Sequence, residues 1–126
     1  MITAEAHLKH LPMSPRKVRL VVDLVRGRKV AEARDILTFT LKSSAEPINK
    51  LLQSAVANAE EKARQNKARL DTDEMKITEI RVDPGRITRS FQAAPRGRAV
   101  RIRHRHSHIH IVISGEERKP TPAKKQ

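Results

Sequence analysis

Apolar residues recur along this chain with two different periods. From Ile2 to Leu8 they alternate, with Ile2, Ala4, Ala6 and Leu8 set against Thr3, Glu5 and His7, and a period of two predicts a short, half-buried strand. Beyond Pro12 the period lengthens. Ser14 reads as an N-cap with Pro15 at the first helical position, Val18, Val21, Val22 and Val25 fall on one helical face, and Gly27 closes the element. A second helix is predicted over 29–41 from Val30, Ala33, Leu37 and Leu41, with Ile36 beside them. The third and longest starts at Ser43 or Ser44 and has Pro47 in its first turn. It carries Ile48, Leu51, Leu52, Ala55, Val56, Ala59 and Ala63 on one face, and Glu60, Glu61, Lys62 and Arg64 mark its solvent side before it frays towards Asn66. Residues 67–74 form a polar connection.

Period two then returns for the rest of the pattern. Met75 to Asp83 is rich in β-branched residues and reads as a strand. Met75 and Ile77 lie on one face but Ile80 and Val82 on the other, which a bulge near Thr78 or Glu79 reconciles. From Val100 a second strand places Val100, Ile102, His104, His106, His108 and His110 on one side. On the other side stand Arg101, Arg103, Arg105, Ser107, Ile109, Ile111 and Ile113. That second series changes from arginine to isoleucine at Ser107, so one strand leaves a buried environment and enters a polyanionic one. Ala93, Ala94, Pro95 and Gly97 supply turn chemistry in the Gln92–Gly97 neighbourhood. The two strands therefore make a hairpin with arms over 75–91 and 98–114. An arm of about 17 residues reaches ~55 Å, against a radius of gyration of ~13 Å for a globule of about 100 residues, so much of the hairpin must project.

Charge sharpens this picture. The chain of 126 residues has 27 Lys+Arg and 14 Asp+Glu, a net +13. Residues 84–115 hold seven arginines and no acid, so this quarter supplies +7 of it. A two-stranded ribbon is marginal in water by itself, and one so charged repels itself, so something outside the chain must hold it. Arg16, Lys17 and Arg19 crowd the first turns of the first helix, where cations oppose the helix dipole, and suggest a second anion-contacting patch. Phe39 and Phe91 are the only aromatic residues apart from histidine, which excludes the stacking platforms of single-strand binders. Phosphates and shape are the expected target.

Other chemistries find little support. Cysteine is absent, which removes disulfides and thiolate metal sites and suits a cytosolic protein. No apolar run is long enough to span a membrane, no helix has the form of a membrane-surface helix, and the N-terminus lacks the order of a secretory signal. His104, His106, His108 and His110 share a strand face, and His-x-His can present two metal-binding nitrogens. With no thiolate or acid nearby they read instead as a neutral face that contacts RNA, and no metal or cofactor is expected. Neither paired carboxylates nor a nucleophile with its base is present, so no catalysis is expected. A free-standing DNA-binding or nucleoid-type protein is the competing class, since charge alone does not separate DNA from RNA. The recognition helix or repeated unit of a duplex reader is missing from the pattern.

Three strings together resemble one family, the bacterial-type large-subunit ribosomal protein twenty-two. They are SPRKVRLVVDLVRGRKVAEARDIL at 14–37, SAVANAEEKA at 54–63 and IRVDPGRITRSFQAAPRGRAVRIRHRHSHIHIVIS at 80–114. The resemblance implies an α+β fold, three helices packed on a small three-stranded antiparallel sheet, with a long projecting β-hairpin. It further implies a structural constituent of the large ribosomal subunit in the cytoplasm, one that binds large-subunit ribosomal RNA, aids assembly and sends its hairpin to the wall of the nascent-peptide exit tunnel. The implied partners are that RNA, neighbouring ribosomal proteins and, in passing, the nascent peptide. No membrane and no homo-oligomer is implied. Residues 1–115 form the single RNA-binding domain on this reading, and 116–126 a disordered basic tail. Arg16, Lys17, Arg19, Arg86, Arg89, Arg96, Arg98, Arg101, Arg103, Arg105 and His108 are the expected RNA contacts. Phe91, Gln92, Ala93, Ala94, Pro95, Arg96 and Gly97 form the expected tunnel-facing tip. Gly97, Arg98 and Ala99 match the family's Gly-Arg-Ala, and Ser107, His108 and Ile109 its Ser-His-Ile. Ala94 stands where an arginine is usual, and Pro84 and Arg86 replace the usual Glu and Pro.

Overall fold

In a computed structural model, which describes residues 2–118, the two periods become two layers. The sheet layer has strands β1 (Ile2–Leu11), β3 (Lys76–Ala93) and β4 (Ala99–Gly115), antiparallel in the order β1-β4-β3. The helical layer is α1 (Pro15–Val25), α2 (Val30–Phe39) and α3 (Ala45–Gln65). α1 lies over β3 and β4, α3 over β1 and β4, and α2 packs against both helices. The fold is α+β, as the resemblance implied.

Cross-strand register explains why the apolar residues are spaced as they are. Ala4, Ile113 and Ile77 form one row across the sheet, Ala6, Ile111 and Ile80 the next, and Leu8, Ile109 and Val82 a third. Every member is buried except half-buried Leu8, and the helices lay Val18, Val22, Ile48 and Leu52 over these rows with no exposure at all. Thr78 is the extra residue that keeps Ile77 and Ile80 on one face, because Ile77 pairs with Ile113 but Glu79 with Val112. The bulge falls where the sequence pattern requires it. The arms, 76–93 and 99–115, agree with the expected 75–91 and 98–114 to within two residues.

Both outer edges of the sheet are closed by side chains from the helices. On β3, Arg26 donates from Nη1 to the Ile80 carbonyl at 2.7 Å and Arg19 from Nη2 to the Val82 carbonyl at 2.9 Å. The α1–α2 loop continues this edge through Val30 N–H to Met75 O and Ile77 N–H to Arg28 O. On β1, Asn58 donates to the Glu5 carbonyl at 2.9 Å and Lys62 to the Thr3 carbonyl at 2.6 Å. Residues four apart on a helix and two apart on a strand are spaced alike, about 6 and 7 Å, so one α3 face serves alternate carbonyls. Bare edge carbonyls would invite pairing with another chain.

Three expectations need correction. Leu41 was placed on the buried face of the second helix, but α2 stops at Phe39 and Leu41 is fully exposed. The backbone turns extended at Thr40, whose hydroxyl donates to the Ile36 carbonyl, so Leu41 no longer keeps to the helical face. β1 runs on past Leu8 to Leu11 through an irregularity where His10 takes φ 61°. The stretches read as a plain connection and a plain tail pair with each other. Arg69–Leu70 (β2) forms a two-stranded ladder with Glu117–Arg118 (β5), and Thr72–Glu74 makes a 3-10 turn just after β2. The rest of the expected tail, 119–126, lies outside the described residues.

Candidate nucleic-acid interface

Ser107 is the last buried residue of β4 on the way from the core to the hairpin tip. It has no exposed surface, and its hydroxyl donates to the Met13 carbonyl at 2.6 Å. Its cross-strand partner is Pro84, next to which a second register shift, between Pro84 and Ile87, bends the ribbon. No helix covers the distal ribbon, and from Arg86 to Arg105 it has no fully buried residue.

Register sorts this distal ribbon into two unlike faces. The face continuous with the core rows carries the pairs Ile87–Arg105, Arg89–Arg103 and Phe91–Arg101. The opposite face carries Thr88–His104, Ser90–Ile102 and Gln92–Val100, with the Ser90 hydroxyl 2.9 Å from His104 Nε2. One side is a cationic ladder and the other is neutral. Arg89 joins Arg101, Arg103 and Arg105 on the ladder, which the sequence pattern of β4 alone does not reveal. Like charges directly opposite on a ribbon are destabilising, and Arg89 faces Arg103. All seven ribbon arginines are exposed, and among the described residues none has a carboxylate within salt-bridge distance. The basic residues nearer the core are treated differently: Arg81 pairs with both Glu79 and Asp83.

Arg96 and Arg98 stand at the tip. A hydrogen bond from Ala94 N–H to Arg98 O at 2.7 Å closes the turn, in which Arg96 takes φ 65° and Gly97 φ 71°. Phe91 is mostly exposed, and among the tip residues only Ala94 is half-buried. Ala94 thus lies beneath the turn rather than at its apex.

The three cations of α1 do not act alike. Lys17 opens onto a crevice of about 860 Å³ where the start of α1, the α2–α3 loop and the base of the ladder meet, and there it joins Lys42, Arg103 and Arg105. Ser14, Ser43 and Ser44 line the same crevice. Lys42 was not among the expected contacts, since it sits between helices with no neighbouring charge to mark it. Arg19 turns the other way, to the Val82 carbonyl, and Arg16 is exposed outside the crevice. His108 is half-buried and its Nδ1 accepts from the His10 backbone N–H at 3.2 Å, so it helps seat the end of β1.

The crevice and the ladder form one cationic surface running from the globular layer up one side of the ribbon. Such a surface holds a phosphate backbone by charge and by the planar fork of guanidinium groups. Phe91, opposite Arg101, is the one phenylalanine on it. No helix among the described residues is long and apolar enough to cross a membrane.

Over residues 6–114 the chain matches the family model described as ribosomal protein L22p/L17e. It is 44% identical over 97 residues to the large ribosomal subunit protein uL22 of Myxococcus xanthus, covering 77% of this chain and 82% of that one. To the uL22 of Desulfitobacterium hafniense it is 46% identical over 102 residues, with 81% and 85% covered. To that of Syntrophotalea carbinolica it is 46% identical over 99 residues, with 79% and 86% covered.

Proposed function

Because the chain belongs to the ribosomal protein L22p/L17e family, we propose that it is a structural constituent of the large ribosomal subunit. It binds ribosomal RNA through the arginine ladder and crevice, and it carries out no catalysis. The observation that carries the reading is the ladder itself: Arg89, Arg101, Arg103 and Arg105 on one face, exposed and without counter-charges among the described residues. A ribbon of this kind is complete only between phosphates. Arg16, Arg86, Arg96 and Arg98 extend the contact at its two ends, whereas Arg19 and His108 contribute mainly by fixing the sheet. The globular layer and ribbon act as one RNA-binding unit that aids folding of the RNA during subunit assembly.

The tip from Phe91 to Gly97 has neither a core to join nor a helix above it. This placement supports the reading that it reaches through the RNA to the exit-tunnel wall, where the nascent peptide passes. The exposed apolar residues Leu24 and Phe39, which do not line the crevice, suit contacts with neighbouring ribosomal proteins.

Competition tests the RNA assignment. The cationic surface extends from the crevice along the ladder to Arg96 and Arg98 at the tip, a longer and less regular path than one flank of a duplex follows, so compact folded RNA should be preferred. Duplex DNA of equal length should compete weakly at near-physiological salt, where non-specific binding has a dissociation constant of roughly 10⁻⁴ to 10⁻⁶ M. Equal affinity for the two would overturn the reading and favour a general polyanion binder of the nucleoid type.

A further inference from the structure

On the sheet face away from the helices, the fold brings two residues of β1 beside one of β4 that is distant in sequence. His7 of β1 is the direct cross-strand partner of His110 of β4, and Glu5 lies two residues before His7 on the same face. The two imidazoles are 4.3 Å apart between centroids, with Nδ1 to Nδ1 at 2.8 Å, and Glu5 Oε2 is 3.8 Å from His110 Nε2. One donor atom from each of the three lies within 4.8 Å of the other two. We propose that Glu5, His7 and His110 form a binding site for a divalent ion of the zinc class.

The donor set suits that ion. Two neutral imidazoles and a carboxylate are borderline ligands that zinc accepts, at about 2.0–2.2 Å, with a fourth position left for water or another oxygen. The two short contacts use opposite ring nitrogens of His110, of which one ion takes only one. With one donor atom per residue the three lie within 4.8 Å of one another, and rotation of the exposed Glu5 and His7 side chains closes them to the ~3.4 Å that separates tetrahedral ligands at such distances. His110 is largely covered, with 14% of its side chain exposed, and gives a fixed anchor, whereas Glu5, at 60%, is free to swing in.

The neighbouring cation, Arg81 opposite His110 on β3, is already paired with Glu79 and Asp83. The other histidines have separate engagements: His104 with Ser90, His106 with the Arg86 carbonyl and His108 with the His10 N–H. The His-x-His series along β4 is therefore not the site. Its last member gains a partner from β1, and a bound ion would tie that edge strand to the middle of the sheet.

Titration of the full chain with zinc chloride by calorimetry tests this, with imidazole NMR as the second readout. One equivalent should bind, moving the His7 and His110 ring resonances and raising the melting temperature, because ligands of the folded state stabilise it. Loss even of groups that support metal ligands weakens binding about 10- to 100-fold, so His7→Gln should weaken it by at least about tenfold. Glu5→Gln should weaken it too, and the His104→Gln, His106→Gln double variant should bind as the parent does. His7 and Glu5 are exposed, so these variants should keep the parent's circular dichroism. The proposal is overturned by zinc binding that survives His7→Gln, by binding lost in the double variant, or by no saturable binding.

Discussion

Replacing Arg101, Arg103 and Arg105 together by glutamine removes three of the four ladder cations while leaving the cross-strand register and the neutral face intact. If each guanidinium neutralises one phosphate, the slope of log affinity against log salt should become shallower by about 0.7 to 0.9 per residue, or roughly 2 to 3 in all. Between 50 and 200 mM salt, log salt changes by about 0.6. The ratio of parent to variant affinity should therefore shrink roughly 20- to 40-fold across that range. The assay is filter binding or anisotropy with a folded fragment of large-subunit ribosomal RNA at four or more salt concentrations. Thermal melting of the free variant checks that the domain is intact, and it should be, since these side chains touch no core row. Parallel lines for parent and variant would refute the reasoning, because they would place the phosphate contacts elsewhere and leave the ribbon a passive spacer.

The same geometry sets expectations for stability and exchange. Arg26→Ala exposes the Ile80 carbonyl on the sheet edge and should cost about 1 kcal/mol in urea unfolding, while Arg16→Ala should be nearly neutral. Equal effects would mean the edge cap is not stabilising. Ile111→Ala, at the centre of the middle row, should cost about 2–5 kcal/mol, whereas Leu41→Ala should stay within about 0.5 kcal/mol; a large loss at Leu41 would contradict its exposure. Ser107→Ala leaves the Met13 carbonyl without its buried partner and should cost about 1–3 kcal/mol, measurable as a lowered denaturant midpoint without a changed slope. In hydrogen exchange, amides from Arg86 to Arg103 of the free protein should exchange far faster than those of α3; equal protection would mean the ribbon is stable without RNA.

The chain's own pattern determined the identity and order of the elements, because periodicity reports local geometry directly. Val18, Val21, Val22 and Val25 could face one way only on a helix, and Ile109, Ile111 and Ile113 only on a strand. The mismatch of Ile77 with Ile80 likewise demanded an extra residue, and Thr78 is it. The switch from isoleucine to arginine at Ser107 marked the end of the core in the sequence itself. The β3–β4 hairpin was legible, but its register and the place of β1 were not, because they depend on which residues and strands come to lie side by side. Only the register of β3 against β4 places Arg89 on the ladder, and only the crevice recruits Lys42 while Arg19 turns back to a strand edge. Leu41 kept a helical spacing that the backbone abandons one residue earlier, at Thr40. Glu5 and His7 are about a hundred residues from His110 in sequence, and it is the position of β1 beside β4 that makes them neighbours.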